Sequence, residues 1–453
     1  MNVNTARLLS RRKFGALLGA TAATAALSSC ASRSDSPKHV SYWTTITDPT
    51  TMKAWNQMKA GFERENPGYH VDILPKPTLG TGDATDLITA VRGHSGPDCY
   101  LIDRYTTAQY AGMGLLEDLQ SYVDAEDHMQ DKYLNFAWNE ASYNGRAFGV
   151  PLDTDSRGLF YNKTEVAKAG LDMSAFDRAN GPMTIEQAVD FGLKMTKKNA
   201  KGNYTQVGFI PWAGQGFWAT WCLMYHAAFF DNKTCQLDLT SPAMEAAYRL
   251  FKTWDQKLDY SKVDAFTATY QPPGSPPQQG TFYTGRVSMS VDGNFALSGL
   301  RQYAPKLDWG VTYLPVVNKG DKPFTWSGGF AMVMPKGPAN AEGGWKFIKY
   351  VTGPAGQKIY SKVTSHLPTY KSLLHDKKVI AGQEFFAEIL KYSTSRPPLP
   401  VNAQLQSALD TATQSIQISG VSPEVALQRA QAQMAPNMKQ YCPFELPANS
   451  SFA

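Results

Sequence analysis

The residues of this chain that could carry out chemistry are above all carboxylates, and the most suggestive pair is Asp153 and Asp155. Two carboxylates about 5 to 9 Å apart across a cleft can serve as the catalytic pair of a glycoside hydrolase. The sequence has no Gly-x-Ser-x-Gly elbow, no Gly-x-x-x-x-Gly-Lys-Ser/Thr phosphate loop, and no His pair at i and i+4 with an intervening Glu among its seven histidines. We therefore expect no catalytic residue, no metal and no cofactor, and we keep hydrolysis as a less favoured alternative.

Aromatic side chains are abundant and suit a carbohydrate ligand. The chain has 10 Trp, 22 Tyr and 22 Phe. Aromatic rings stack on the C–H faces of sugars, while planar polar groups bind the hydroxyls. Trp212 and Trp218 flank Gly214 and Gly216, which predict a loop that leads into a helix. Both rings can then face a cleft.

The N-terminal segment predicts export and a membrane anchor. Arg11-Arg12 precedes a mild apolar stretch and resembles the twin-arginine signal of bacteria, so we expect residues 1–29 to be a signal peptide. Leu27-Ser28-Ser29-Cys30 resembles a lipoprotein box, which predicts that Cys30 is acylated and that residues 30–38 form a tether. The protein is thus expected on the extracytoplasmic face of the cell membrane, held by its lipid.

The charge balance of the chain limits the partners that it could bind, and its length indicates how many lobes it forms. Without residues 1–29 the cationic residues fall from 44 to 40, against 39 acidic ones. This balance excludes the basic surface that nucleic acids require. The remaining length exceeds the roughly 250 to 300 residues at which one core usually splits. We expect a monomer of two lobes.

The cysteines allow one predicted disulfide. Cys222 and Cys235 lie 13 residues apart across a predicted helix and turn, and an exported protein can hold a disulfide there. Cys99 lies in an apolar strand pattern and is expected to be buried. Cys442 has no evident partner in the sequence.

Strand-like and helix-like stretches alternate along the chain, which predicts an α/β fold with largely parallel sheets. Asp103 follows the third predicted strand, at 97–102. The carboxyl ends of parallel strands are where the clefts of α/β proteins form, so Asp103 is a candidate ligand contact.

Short motifs spread over the mature chain form an ordered set: Gly96-Pro97-Asp98, Gly114-Leu115-Leu116-Glu117-Asp118-Leu119, Tyr143-Asn144-Gly145-Arg146-Ala147-Phe148-Gly149-Val150-Pro151, Tyr161-Asn162-Lys163, Phe282-Tyr283-Thr284-Gly285-Arg286 and Asp308-Trp309-Gly310-Val311. Together they resemble the extracellular solute-binding proteins of ABC sugar importers, among which the maltose-binding type is the best known. The resemblance implies two α/β lobes of the type II periplasmic-binding-protein kind, with a hinge and an interlobe cleft.

The resemblance also implies the boundaries of the lobes. The first lobe would hold residues 39–152 and 312–364, and the second would hold residues 155–310 and 367–453. The chain would cross between the lobes at residues 153–156 and 309–315.

Several ligand contacts follow from the resemblance. Asp155 stands where relatives carry an acidic residue that binds sugar, and Trp218 aligns with a stacking aromatic residue. Gly328-Gly329 matches a Gly-Gly turn at the floor of the cleft, with Trp326 as a candidate platform.

Three further residues are candidates on weaker patterns. His366 precedes a Leu-Pro segment that can reach ligand in relatives. Asn294 stands in Gly293-Asn294-Phe295, where the family often has Gly-Pro-Trp, and it supplies an amide. Arg396 could bind a hydroxyl pair or an anionic group, and it could equally cap the preceding helix.

The sequence therefore predicts a non-enzymatic, lipid-anchored binding subunit of an ABC importer. It would capture an extracellular oligosaccharide or sugar derivative and deliver it to permease subunits. The alternatives are a ligand that carries phosphate, such as a glycerol phosphodiester, and an extracellular glycoside hydrolase.

Overall fold

Two five-stranded sheets organise the described part of the chain, residues 38–76 and 83–447 of a computed structural model. Separate buried cores lie against the two sheets, so the expected two-lobed α/β fold is confirmed. Arg11, Arg12 and Cys30 lie outside the described residues. Within residues 38–76 and 83–447, no helix has the length and apolarity needed to cross a membrane.

The strands in chain order are β1 (His39–Thr44), β2 (His70–Pro75), β3 (Cys99–Asp103), β4 (Ser142–Tyr143), β5 (Arg146–Ala147), β6 (Gly149–Pro151), β7 (Asp153–Thr154), β8 (Arg157–Asn162), β9 (Lys197–Lys198), β10 (Tyr204–Phe209), β11 (Phe230–Asp231), β12 (Gln236–Leu237), β13 (Val287–Gly293), β14 (Trp309–Thr312), β15 (Thr325–Ser327), β16 (Phe330–Val333), β17 (Leu367–Pro368) and β18 (Ser393–Ser395).

The α-helices in chain order are α1 (Pro49–Glu65), α2 (Thr85–Arg92), α3 (Thr107–Gly112), α4 (Gln120–Asp124), α5 (Asn135–Glu140), α6 (Lys163–Lys168), α7 (Ile185–Lys194), α8 (Trp218–Met224), α9 (Pro242–Leu258), α10 (Tyr260–Tyr270), α11 (Ala296–Tyr303), α12 (Ala341–Thr352), α13 (Pro354–Thr364), α14 (Glu384–Ile389), α15 (Asn402–Ser419) and α16 (Pro423–Lys439). Short 3₁₀ helices lie at Arg104–Thr106, Gln130–Lys132, Met173–Phe176, Arg178–Asn180, Pro277–Gln279, Lys371–His375 and Leu390–Tyr392.

The first sheet has the order β2-β1-β3-β16-β6. Strands β1, β2 and β3 are parallel, and β16 runs antiparallel to both β3 and β6. Helix α1 begins where the Asp48 side chain accepts hydrogen bonds from the backbone N–H groups of Thr50 and Thr51. The helix buries Trp55 and Phe62 in the core of this lobe.

The second sheet has the order β14-β8-β13-β10-β9 and is mixed. Only β10 and β13 are parallel neighbours in this sheet. Strand β8 runs antiparallel to both β13 and β14, and β9 runs antiparallel to β10. The expectation of largely parallel sheets is therefore wrong for this lobe, because β8 lies between two strands of the opposite direction.

The chain returns to the first lobe later than the sequence predicts. Strand β14 pairs with β8 of the second sheet, and Leu314, Val316 and Trp326 are buried in the second core. Strand β16 is the next to join the first sheet. The return crossing thus lies between β15 and β16, at Gly328-Gly329, and not at residues 309–315.

Further contacts connect the two lobes beside these crossings. Strand β7 pairs with β17, and β15 pairs in parallel with β18. At the start of α15, the backbone N–H of Ala403 donates to Gln109 Oε1 of the first lobe at 2.7 Å, and the Asn402 side chain donates to the Tyr105 carbonyl.

The disulfide joins Cys235 to Cys442 and not to Cys222. Cys222 lies inside α8, where every residue is buried, and it is a free thiol. Cys235 lies in the turn between β11 and β12, and Cys442 follows the end of α16, which packs against β12. Cys99 is free and buried, as predicted.

Candidate ligand-binding site

A cavity of about 600 Å³ lies where the two lobes meet, within the range of small-molecule sites. It is lined by both lobes and by the strands that connect them. The lining residues are Ile46, Asp48, Thr50, Thr51, Asp103, Asp155, Arg157, Gln215, Phe217, Phe295, Ser298, Trp326, Gly328, Gly329, Phe330, Thr364, His366, Arg396, Gln406 and Asp410.

One carboxylate–guanidinium pair in this lining is Asp103 with Arg396. Asp103 is the last residue of β3, and Arg396 directly follows β18. Arg396 Nη2 donates to both carboxylate oxygens of Asp103 at 2.8 Å. The guanidinium also lies over the ring of Tyr105, with its Cζ 4.2 Å from the centroid. Arg396 is therefore held by Asp103 and does not act as a helix cap.

The second pair is Asp155 with Arg157, at the start of β8. Arg157 Nη1 donates to Asp155 Oδ1 and, at 3.0 Å, to the Trp326 carbonyl. The backbone N–H of Gly328 donates to the same Asp155 oxygen at 2.6 Å. Burial lowers the pKa of Arg157 to about 10 against the opposing effect of Asp155. The guanidinium therefore remains charged at neutral pH.

Both guanidiniums approach the ring of Trp326. The Arg157 Cζ lies 3.3 Å from the centroid of the Trp326 ring, and the Arg396 Cζ lies 5.5 Å from it. The indole N–H donates to Thr220 Oγ1 at 2.7 Å, and the residue is 1% exposed. Trp326 contributes to the wall of the cavity, but Arg157 covers the face of its ring.

The turn Gly328-Gly329 brings backbone close to these arginines. A Cβ on Gly328 would lie 3.2 Å from Arg157 Nη2 and 3.6 Å from Arg396 Nη2. Gly329 has φ of +138°, and a Cβ there would collide with Arg104 Nη1 and the Asp153 carbonyl. Glycine at both positions thus lets the guanidiniums approach the backbone.

A buried ion pair supports the turn from behind. Arg104 Nε donates to Glu140 Oε2 at 3.0 Å, and both side chains are fully buried. Arg104 Nη2 donates to the Gly328 carbonyl at 2.6 Å, and Arg104 Nη1 donates to the Asp153 carbonyl. Burial raises the pKa of Glu140 above its usual range, while Arg104 opposes this effect. Arg104 therefore positions the turn.

His366 and Asp153 form a further contact at the edge of the cavity. His366 Nε2 lies 3.6 Å from Asp153 Oδ2, and the ring stacks on Phe295 with centroids 5.5 Å apart. Burial raises the pKa of Asp153 to about 6, and His366 opposes this shift. Asp153 does not line the cavity, whereas Asp155 does. The two carboxylates therefore do not face the same space.

The structure places three of the predicted contacts outside the lining. Trp218 is 2% exposed and donates its indole N–H to Asp410 Oδ1 at 2.9 Å, so its ring lies in the core and does not face the cleft. Trp212 packs on Tyr260. Asn294 is fully buried and joins the Ser156 N–H to the carbonyl of Ser365 and the side chain of Gln383. Trp218 and Asn294 are kept from the cavity by their burial, whereas Trp212 is half-buried and lies outside the lining.

The other predicted contacts come together in the lining: Asp103, Asp155, Trp326, Gly328, Gly329, His366 and Arg396. The sequence reasoning missed Arg157, Gln215 and Asp410. Arg157 was signalled by its position two residues after Asp155, since a charged side chain at the start of a buried strand needs a partner.

Comparison with known proteins gives consistent matches. The family model described as bacterial extracellular solute-binding protein matches residues 47–358. The multiple sugar-binding protein of Streptococcus mutans is 23% identical over 352 residues, covering 73% of this chain and 77% of that protein. The sn-glycerol-3-phosphate-binding periplasmic protein of Salmonella typhimurium is 23% identical over 420 residues, covering 84% and 91%.

A solved structure of similar fold is that of CpMnBP1 with mannobiose bound. It superposes with a TM-score of 0.76 at 22% identity, covering 87% of this chain and 99% of that one. At this identity the match establishes a shared fold.

Proposed function

The chain belongs to the family of bacterial extracellular solute-binding proteins, and from this we propose that it captures an extracellular oligosaccharide or sugar derivative between its lobes. It would deliver this ligand to the permease subunits of an ABC importer. Relatives whose names describe sugar binding support a carbohydrate ligand.

The observation that carries the proposal is the chemistry of the interlobe cavity. Asp103, Asp155 and Gln215 supply planar polar groups, while Phe217 and Phe295 supply aromatic surface. Planar groups bind hydroxyls in pairs, and aromatic rings pack on the C–H faces of sugar rings. To stack on the ring of Trp326, a sugar would have to displace the Arg157 guanidinium that covers it. The lobes would close on the ligand by rotation about the crossings.

A specific observation favours a second candidate, a ligand that carries phosphate. The guanidiniums of Arg157 and Arg396 both approach Gly328, so two cations converge on one wall of the cavity. Arginine binds phosphate through two parallel N–H donors. One relative is named for binding sn-glycerol 3-phosphate. In this structure both arginines are paired with carboxylates, which a phosphate would have to displace.

We further propose that the protein binds without turnover. A glycoside hydrolase needs two carboxyls that flank one bond. Asp155 accepts hydrogen bonds from Arg157 and Gly328, and Asp153 accepts one from the backbone of Phe330, outside the lining. Because Asp153 lies outside the lining, Asp153 and Asp155 cannot flank one bond of a ligand held in the cavity.

Localisation is proposed from the N-terminal motifs. Cys30 would carry lipid, and residues 30–38 would tether the lobes to the extracytoplasmic face of the membrane. The twin arginines Arg11 and Arg12 would direct export of the folded chain.

The test is a thermal-shift screen followed by calorimetric titration. The panel would contain manno- and malto-oligosaccharides, glycerol 3-phosphate and glycerol phosphodiesters. A ligand at 100 times its dissociation constant stabilises by about 2.7 kcal/mol, which is readily measured. Stabilisation by sugars alone supports the main proposal, and stabilisation by phosphorylated ligands alone selects the second. Chromatography of the ligand after long incubation would reveal turnover, and any product would reject a purely binding function.

A further inference from the structure

Two histidines and an aspartate from neighbouring strands meet at the end of the first sheet opposite the cavity. Strands β1 and β2 are parallel with His39 opposite His70 and Ser41 opposite Asp72. Alternate residues of a strand share a face, so His70 and Asp72 point to the same side. Strand β1 runs from His39 toward Ile46, which lines the cavity. The three side chains therefore form a cluster separate from the ligand site.

The spacing of their polar atoms is close to that of metal ligands. Asp72 Oδ2 lies 2.8 Å from His39 Nε2, and Asp72 Oδ1 lies 3.1 Å from His70 Nε2. One ligand atom from each residue falls within 4.8 Å of the others. Nitrogen and oxygen donors at about 2.0 to 2.2 Å from a zinc ion are about 3 to 3.5 Å apart. Small rotations of the side chains would give this arrangement.

The second nitrogen of one histidine already has an orienting partner. His70 Nδ1 lies 3.2 Å from Glu63 Oε1. The same Glu63 oxygen accepts hydrogen bonds from Lys59 Nζ at 2.5 Å and from the Val71 N–H at 2.9 Å. A carboxylate on the far nitrogen of a metal-binding histidine fixes its tautomer and its orientation. Glu63 would hold His70 with Nε2 directed at the metal position.

We propose that His39, His70 and Asp72 bind one divalent transition-metal ion, with water in the remaining position. Two imidazoles and a carboxylate suit Zn²⁺, Ni²⁺ or Cu²⁺, whereas Ca²⁺ and Mg²⁺ prefer all-oxygen sites. The His70 side chain is 60% exposed and that of Asp72 is 48% exposed, so an ion can enter from solvent. A bound ion would join β1 to β2 and stabilise this edge of the first lobe.

The experiment is calorimetric titration of Zn²⁺ into the chelator-treated full chain, produced without a polyhistidine tag. The variants are His39→Gln and His70→Gln, and the control is His128→Gln. His128 is a matched control because it also lies beside two carboxylates, Asp127 and Asp131, at 3.9 and 3.3 Å. Melting curves without metal would establish that each variant is folded.

We expect one Zn²⁺ per chain in the wild type and in His128→Gln, and an affinity at least 10-fold lower in the two site variants, since removal of one ligand leaves only two. Zn²⁺ should also raise the melting temperature of the wild type. Absence of saturable binding by the wild type would overturn the proposal. Equal binding by all variants, or loss in only one of the two site variants, would overturn it as well.

Discussion

The guanidinium of Arg157 covers the ring of Trp326, with its Cζ 3.3 Å from the ring centroid. The indole N–H of Trp326 is bonded to Thr220, so the ring cannot turn toward the cavity without losing that hydrogen bond. The cation is held in turn by Asp155. Arg157 is therefore the group that a ligand meets before it reaches the aromatic wall.

Replacement of this guanidinium should weaken ligand binding. We expect Arg157→Lys to raise the dissociation constant of the ligand found by screening by roughly 10- to 100-fold, because lysine lacks the planar pair of N–H donors. The measurement is calorimetric titration. Arg178→Lys is the control, since Arg178 is exposed and also lies over a ring, that of Phe385 at 4.7 Å. Full affinity in Arg157→Lys, or an equal loss in the control, would contradict the assignment.

The half-buried carboxyl of Asp292 should make stability depend on pH. Burial raises the pKa of Asp292 to about 6 from an ordinary value of 3.8. The folded state then binds a proton that the unfolded state loses between about pH 4 and 6, so the free energy of unfolding falls as pH rises through this window. We expect Asp292→Asn to be more stable than the wild type by about 2 to 3 kcal/mol at pH 7 and equal to it below about pH 4.

Urea unfolding at a series of pH values would measure this difference. The control is Asp172→Asn, since hydrogen bonds from Ser174 lower the pKa of Asp172 and its pH effect has the opposite sign. A pH-independent difference between Asp292→Asn and the wild type would show that the substitution acts through packing and not through ionisation.

Reduction of the Cys235–Cys442 disulfide should destabilise the second lobe. The bond closes a loop with a sequence separation of 207 residues. Loop closure of this size is worth about 2 to 5 kcal/mol, because it restricts the unfolded chain. We expect dithiothreitol to lower the melting temperature of the wild type and of Cys222→Ala, and to leave Cys442→Ser unchanged. Insensitivity of the wild type would mean that the disulfide does not form.

The proposed lipid anchor predicts a change in localisation without a change in binding. Cys30→Ala should release the protein from membranes into the soluble extracytoplasmic fraction, because the thiol that we propose to be acylated is lost. Ser29→Ala is the control, since it alters the neighbouring residue and keeps the thiol. Fractionation and immunoblotting measure the outcome, and titration checks that ligand affinity is preserved. Continued membrane attachment of Cys30→Ala would reject the lipoprotein box.

Part of the site could be predicted because some of its residues lie at the ends of strands. Asp103 follows a buried strand in the sequence, and the structure places it in the cavity at the end of β3. The resemblance to the family predicts a turn at Gly328-Gly329, and in the structure these residues form the turn between two sheets. Such features depend on a few consecutive residues, so they can be predicted from the sequence alone.

Other features depend on residues that are far apart in the sequence, and these could not be predicted from it. The helix that begins at Trp218 is apolar all round, so its sequence does not indicate which ring would face a ligand. Cys235 finds its partner 207 residues away. His39 and His70 are unrelated by helical spacing, and only the parallel register of β1 and β2 brings them together.

The order in which the two cores are completed bears on how the chain is synthesised. The core of the first lobe draws residues from Val40 to Tyr360, and that of the second lobe from Leu159 to Phe444. Neither lobe can therefore finish folding while the ribosome is still adding the middle of the chain. The core of the second lobe cannot be completed before Phe444 has been synthesised. Removal of α16 would expose the hydrophobic surface of the second core that this helix covers, and such a surface is recognised by chaperones and proteases.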